Sequence, residues 1–365
     1  MDVRHEVALA ALTTMHVGGP AARLVTVTTT DELVDAIREV DDADEGLLVL
    51  GGGSNLVVAQ EGFAGTVVHV ATTGVAVESD DSCGGANLRV AAGEPWDEVV
   101  ARAVAEGWAG IEALSGIPGS TGATPIQNVG AFGQEVSQTV AQVRVWDRQR
   151  QEVRTVFGPE CGFGYRDSRF KSGDGQGGRY VVLDVVFQLR VGDLSEPLAY
   201  ADLAAQLGVE VGARVPLTDA REAVLAQRRR RGMVLDGPDA SAPDHDTWSC
   251  GSFFTNPVLD DAGFIDLERR VHDRLGADVT APSWTQPDGR TKTVAAWLIE
   301  RAGFGRGYGL PGPAALSTKH TLAVTNRGTA STDDVLDLAR EVRDGVESAF
   351  GVRLVPEPTL VGVTL

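Results

Sequence analysis

Three short segments carry side chains suited to guanidinium, hydroxyl and carboxyl chemistry. In FGYRDSRFK, residues 163 to 171, Tyr165 and Arg166 precede Asp167, Ser168 and Arg169 in a polar run just ahead of a strand-like segment. A guanidinium there could grip a carboxylate through two parallel N–H donors, and it keeps its charge at any working pH. GSFFTNP, residues 251 to 257, sets Ser252 and Asn256 around two phenylalanines, a combination able to exclude water while leaving one hydroxyl exposed. Glu357 stands between Pro356 and Pro358, whose fixed φ values constrain its direction. Taken singly, each feature has a plain alternative: Arg166 paired with Asp167 at the surface, Ser252 as a turn or cap, Glu357 as a solvated carboxylate.

Two further stretches present backbone rather than side chains. GIPGSTGATPIQNVGAFG, residues 116 to 133, has neither a helical nor a strand period; small residues, prolines and uncharged polar side chains fill it. LGGGSNL, residues 50 to 56, follows the apolar run Leu47, Leu48, Val49, Leu50, which reads as a buried strand. Glycines let N–H groups approach a ligand closely, and N–H donors in turn conformations form a concave site for phosphate. The pattern is not an ordinary dinucleotide fingerprint, because GGGSNLVV lacks the third glycine at a helix start, and no GK[ST] follows any glycine cluster. Two such loops suggest one large, phosphate-bearing ligand.

The chain that must position these segments has 365 residues, 43% hydrophobic and 23% charged, enough for two or three packed domains. Its 51 acidic and 32 basic residues give a formal net charge of -19, which repels polyanions and argues against nucleic acid or an anionic membrane as partner. An anionic ligand must therefore be held by local arginines and N–H groups. No apolar run approaches the roughly 18 to 20 residues of a membrane span, and the first ten residues lack a signal-peptide core, so a cytoplasmic location is expected. Cys83, Cys161 and Cys250 are widely spaced, which predicts small buried thiols rather than disulfides or a metal site. The histidines show no metal-ligand spacing, and His245 is expected as a solvated loop residue.

Strands are predicted at 25–28, 46–50, 66–70, 88–92, 140–146, 152–157 and 180–190. A helix at 31–40 places Leu33, Val34, Ile37 and Val40 on one face, and a second begins at Pro95 and ends at Gly107. Beyond about residue 215 the character turns helical, with segments at 218–230, 260–274, 293–302 and 331–350, then strand candidates at 352–355 and 359–364 that could return to the earlier sheet. The polar, proline-bearing run 237–247 reads as a surface loop.

Taken in order, TTMHVGGPA, LGGGSN, IPGSTGATPIQNVGAFG, CGFGYRDSRFK, GSFFTNP and AAWLIERAG resemble the UDP-N-acetylenolpyruvoylglucosamine reductase (MurB) family, from about Thr14 to Val363. The resemblance implies an α+β fold, with a two-subdomain FAD-binding module of the vanillyl-alcohol-oxidase (PCMH) type and a C-terminal substrate domain. The matching boundaries are 1–70 and 71–215 for the FAD subdomains, with 352–365 returning to the second, and 216–351 for the substrate domain. It implies non-covalent FAD, NADPH as co-substrate, a nucleotide-sugar substrate and a monomer, with no nucleic acid, membrane or metal. On that basis the flavin would be held by Gly51, Gly52, Gly53, Ser54 and Asn55 of the first loop. From the second loop it would be held by Ser115, Ile117, Pro118, Gly119, Ser120, Gly122, Ala123, Gln127, Asn128, Gly130 and Ala131.

The implied reaction passes a hydride from NADPH through flavin N5 to the terminal alkene carbon of an enolpyruvyl sugar. Arg166 matches the family arginine that stabilises the enolate-like charge, Ser252 the residue that gives the final proton, and Glu357 a glutamate that would hydrogen-bond to the enolate once protonated by an enclosed site. Tyr165 and Asn256 match positions lining the substrate pocket, and Tyr200 matches a tyrosine on a loop covering the uridine diphosphate. Arg231, in RRRRGMVLD, stands where the family commonly has a phosphate-side lysine; its reach and hydrogen-bond geometry differ. Two rival classes, an oxidase of the same fold and a non-catalytic nucleotide binder, would share the glycine loops but have no need of that arginine, serine and glutamate together.

Overall fold

The computed structural model describes residues 1–81, 83–171, 178–235 and 242–365. The chain forms two units: residues 1–8, 20–53 and 62–235 make the first, and 9–19, 54–61 and 236–365 the second. Residues 237–241 of the proline-bearing run lie outside the described residues.

The first unit contains two sheets. One has the order Asp2–Ala8, Pro20–Val27, Phe63–Val70, Leu47–Leu50, with the last three strands parallel to one another. The helix Thr30–Asp42 makes the crossover from Pro20–Val27 to Leu47–Leu50, which flank Phe63–Val70 and both pair with it in parallel. It starts where the Thr29 side chain accepts the Glu32 N–H, a cap typically contributing about 1 kcal/mol, and buries Leu33, Val34, Ala36, Ile37 and Val40. The second sheet is antiparallel: Glu152–Phe157, Val140–Asp147, Tyr180–Val191, Gly85–Ala91, Val75–Asp81. Its central strand buries Val181 through Phe187 without a break, which explains why that run is apolar rather than alternating, except at Asp184, whose carboxylate accepts from Arg89 Nη1 at 2.7 Å and Arg144 Nε at 2.5 Å. Helix Trp96–Ala105 covers it with Trp96, Val99, Val100 and Ala103.

Two expectations change here. The helix Leu217–Arg230, placed by sequence in the substrate domain, packs within the first unit: Leu217 against Val104 and Ala109, and Ala220, Ala223 and Val224 against Ala113, Leu198 and Leu203. Cys83 is exposed, in contrast to buried Cys161 and Cys250. It lies in a turn at the sheet edge, where the Asp81 carboxylate accepts the N–H groups of Cys83 and Gly84, and no core reaches that edge.

In the second unit the helix Thr332–Phe350 is the organising element. The Ser331 side chain accepts the Asp334 N–H while Asp334 accepts from Ser331, and Val335, Leu338, Ala339, Val342, Val346 and Phe350 form the buried stripe. Helices Ala295–Ala302 and Asp261–Leu275 pack on it. The closing strand Thr359–Val361 pairs in parallel with Leu56–Val58 of this unit, not with the sheet of 71–215. Residues 352–355 form no strand, although Val352 and Leu354 are buried; the segment meets its neighbour only through the isolated bridge between Pro356 and Phe254. His245 is not free in solvent: its ring meets that of Trp248 edge-on, with centroids 4.7 Å apart. Among the described residues no helix is long and apolar enough to cross a membrane.

Candidate active site

In the first unit the two glycine-rich loops meet backbone to backbone. A Cβ on Gly52 would stand 2.7 Å from Gly119 Cα, and one on Gly51 would collide with the Ser120 hydroxyl. The second loop is pinned from below: Trp96 N–H donates to Gly119 O at 2.9 Å, Thr121 N–H to Glu94 O at 2.8 Å and Gly122 N–H to Ala92 O at 2.8 Å. Among the described residues the N–H groups of Gly52, Gly119 and Ser120 make no hydrogen bond, so the meeting point of the loops presents donors. No charged side chain occurs between Glu112 and Glu135, so in a strongly acidic protein this surface does not repel a pyrophosphate.

The loop also holds the arginine motif. Gly164 and Asp167 bond to each other's backbone, which makes Tyr165 and Arg166 the tip of a tight turn. Arg166 has φ 54°, a left-handed conformation unusual for a non-glycine residue. Asn128 Nδ2 donates to Gly164 O at 3.0 Å, and Ser168 Oγ donates to Ile126 O at 2.6 Å, so both ends of the turn are fastened to the loop. The Arg166 guanidinium then lies over it: Nη2 donates to Gly130 O at 2.9 Å and Nη1 lies 3.5 Å from Asn128 O.

Farther along this unit, the Phe132 ring meets Tyr200 edge-on at 5.9 Å, and the Arg231 guanidinium lies 5.9 Å from the same ring. Tyr200 is half-exposed at the start of the helix Ala201–Leu207, and Arg231 closes the helix Leu217–Arg230. One turn earlier, Arg228 Nη2 donates to Met233 O at 2.7 Å, and its Nε borders the space beside Gly116. Burial, with the charge of Arg231, lowers Arg228 to about 10; it remains a cation at neutral pH.

In the second unit Ser252 and Glu357 lie on adjacent strand-like segments. Glu357 N–H donates to Phe253 O at 2.9 Å and Thr255 N–H to Val355 O at 3.0 Å, while Phe253 and Phe254 are buried beneath. Asn55 brackets the glutamate: its Nδ2 donates to Glu357 O at 3.2 Å and its carbonyl accepts the Thr359 N–H at 2.9 Å. Asn256 Oδ1 accepts the Ala295 N–H at 2.9 Å, at the start of the helix Ala295–Ala302. Cys250, two residues before Ser252, is not poised as a thiolate. Burial and the nearby negative charge of Glu357 push its thiol up to about 12, and Sγ donates to Leu56 O.

Known proteins are similar to this chain over nearly its whole length. The family description "UDP-N-acetylenolpyruvoylglucosamine reductase, C-terminal domain" matches residues 242–361, and "FAD binding domain" matches residues 21–156. A UDP-N-acetylenolpyruvoylglucosamine reductase of Streptomyces avermitilis is 56% identical over 99% of this chain and 95% of its own length, and one of Thermobifida fusca is 56% identical over 98% of each. The chain belongs to the UDP-N-acetylenolpyruvoylglucosamine reductase family. A solved structure of the Thermus caldophilus reductase is similar over 99% of both chains, with 25% identity and a TM-score of 0.64. The α+β architecture expected from the motifs, an FAD-binding domain followed by the reductase C-terminal domain, is thus the one present.

Within this reductase framework, the expected site residues divide by unit. Gly51 to Gly53, Ser115 to Ala131, Tyr165, Arg166, Tyr200 and Arg231 belong to the first; Ser54, Asn55, Ser252, Asn256 and Glu357 belong to the second. Two residues expected to contact flavin have their side chains committed elsewhere. Ser115 is fully buried and donates its hydroxyl to Glu112 O at 2.7 Å. Asn128 donates to Glu135 as well as Gly164 and accepts from Ser137 N–H, so its amide braces the loop instead of facing a ligand. Arg228, one of four successive arginines in the sequence, lies three residues before Arg231 and so on the same face of the last helical turn.

The contact between the loops gives a direct test of the cradle. A methyl at residue 52 must displace the Gly119 backbone, which cannot swing aside as a side-chain tip can. Gly52→Ala is expected to purify largely without flavin yet stay folded, since its neighbouring strand is unaltered. Full yellow absorbance in that variant would place the flavin elsewhere.

Proposed function

We propose that this chain reduces the enolpyruvyl group of UDP-N-acetylglucosamine enolpyruvate to give UDP-N-acetylmuramate, a step of peptidoglycan precursor synthesis, acting in the cytoplasm as a monomer. NADPH is the hydride source. When bound, non-covalent FAD would supply the two-electron hydride chemistry that links NADPH to the sugar substrate. The first loops hold its pyrophosphate through backbone donors, and their uncharged composition supports that reading.

As hydride reaches the terminal carbon, the alkene π pair moves onto the neighbouring carbon and its carboxylate. Arg166 stabilises that charge; a fixed guanidinium is most valuable where charge is greatest, so the barrier falls. Glu357, once protonated in the enclosed, substrate-filled site, donates a hydrogen bond to the same charge. Ser252 Oγ then delivers a proton to the carbon bearing the carboxylate and is reprotonated from solvent. A serine hydroxyl is a weak acid, but the enolate carbon is basic enough to take its proton. Tyr165 and Asn256 line the sugar site, while Tyr200 and Arg231 hold the diphosphate.

The observation that carries this reading is the placement of Arg166, bonded to the Gly130 carbonyl of the flavin loop itself. In that position a carboxylate-binding cation is built into the cofactor cradle, a feature an alcohol oxidase would not require. The test is NADPH consumption by the yellow protein: rapid oxidation only when the UDP-linked enolpyruvyl sugar is present supports it. Oxygen-linked turnover of an alcohol, with the enolpyruvyl sugar inert, would refute it.

A further inference from the structure

Glu112 has no part in the chemistry above, yet it is a buried carboxylate at the foot of the flavin loop, 2% exposed. Its partners are all neutral. Oε2 accepts the Gly110 N–H at 2.7 Å, and Oε1 accepts both Gln134 Nε2 at 2.9 Å and the Glu196 N–H at 2.6 Å. Gln134 returns the tie, its Oε1 accepting the Ala113 N–H at 2.7 Å. A buried carboxylate is costly unless its oxygens are satisfied, so this one is retained as a junction among three segments.

Two of those segments lead to the substrate-side aromatics. Gln134 pairs with Ala131 across the short hairpin whose tip carries Phe132 and Gly133. Glu196 begins the stretch that ends at Tyr200, and a Cβ on Gly133 would stand 2.5 Å from the Cβ of Ala199, so hairpin and stretch touch. Phe132 then contacts both Tyr200 and Arg231. We propose that Glu112 is a positioning residue: its carboxylate sets the spacing of the Phe132 hairpin and the Tyr200 segment, and so the affinity for the diphosphate of the UDP-sugar. The inference rests on the reading of Tyr200 as a substrate contact.

Glu112→Gln puts an amide donor against a backbone N–H donor while leaving size unchanged. Expected is a rise of about tenfold in KM for the UDP-linked enolpyruvyl sugar, with kcat and flavin content little altered. In a Tyr200→Phe background the same change should add less than about twofold, because the contact it positions is already gone. Gln134→Met, which removes both of that side chain's ties, should reproduce the KM rise if Glu112→Gln fails to fold. An unchanged KM in a folded Glu112→Gln or Gln134→Met protein, a matching loss in kcat, or full multiplication of the two effects in the double variant would overturn the proposal. Were Tyr200→Phe alone to leave KM unchanged, the Tyr200 reading would fall first and this inference with it; a KM raised by Tyr200→Phe but not by Glu112→Gln would sink the inference alone.

Discussion

Ser252→Ala should take up hydride from NADPH at the normal rate and then stall: flavin reoxidation by the UDP-linked enolpyruvyl sugar is expected to slow by roughly 10²- to 10⁴-fold, the range for loss of a positioned general acid. The substitution isolates that oxygen cleanly. The local frame is held by main-chain bonds, Phe253 N–H to Leu322 O at 2.8 Å and Glu357 N–H to Phe253 O at 2.9 Å, and by the buried rings of Phe253 and Phe254. None of these involves the hydroxyl. Single-mixing kinetics of each half-reaction decide the matter, and a second half-reaction of unaltered rate would remove Ser252 as proton donor.

Arg166→Met is expected to lower the rate of the same half-reaction by about 10²- to 10³-fold, comparable to removing a charge-stabilising donor from a pre-organised site. Arg166→Lys should recover only part, since an ammonium restores charge but not the fork that matches a carboxylate. The guanidinium also donates to Gly130 O, so a purely architectural role must be distinguished from a catalytic one. If Arg166 merely fastened the loop, flavin binding and reduction by NADPH would fall alongside reoxidation. Loss confined to the substrate half-reaction is the result expected of a residue that meets developing charge. The turn that presents it is tied through Asn128 and Ser168, whose bonds survive either substitution.

The candidate site stands out in the sequence because the chemistry proposed for it demands unusual residue patterns. A run as long as 116–133 without charge or period has little use except to present backbone, and YRDS and GSFF put polar side chains where strands or turns must carry them. The buried faces of Thr30–Asp42, Trp96–Ala105 and Thr332–Phe350 were readable from their 3.6-residue spacing.

What escaped was either too short or too exposed to carry a period. Asp2–Ala8 is exposed almost throughout, an edge strand with no buried face to pattern. Hairpins such as Gly130–Ala131 with Gln134–Glu135 consist of two-residue strands, below the length at which alternation can be seen. The roles of Asn128, Ser115 and Glu112 depend on bonds to residues distant in the chain, or on backbone atoms, which side-chain identity does not reveal. The helix Leu217–Arg230 has a clear character, but sequence alone did not say which core receives its apolar side.

The most direct measurement follows the new carbon–hydrogen bonds. Protein reduced anaerobically with NADPH in deuterated water, then mixed with the UDP-linked enolpyruvyl sugar, should turn yellow again and give UDP-N-acetylmuramate bearing deuterium on the carbon next to the carboxylate, and Ser252→Ala should slow that appearance. Flavin that stays reduced in the presence of this sugar, or product lacking solvent deuterium at that carbon, would contradict the reaction assigned to the chain.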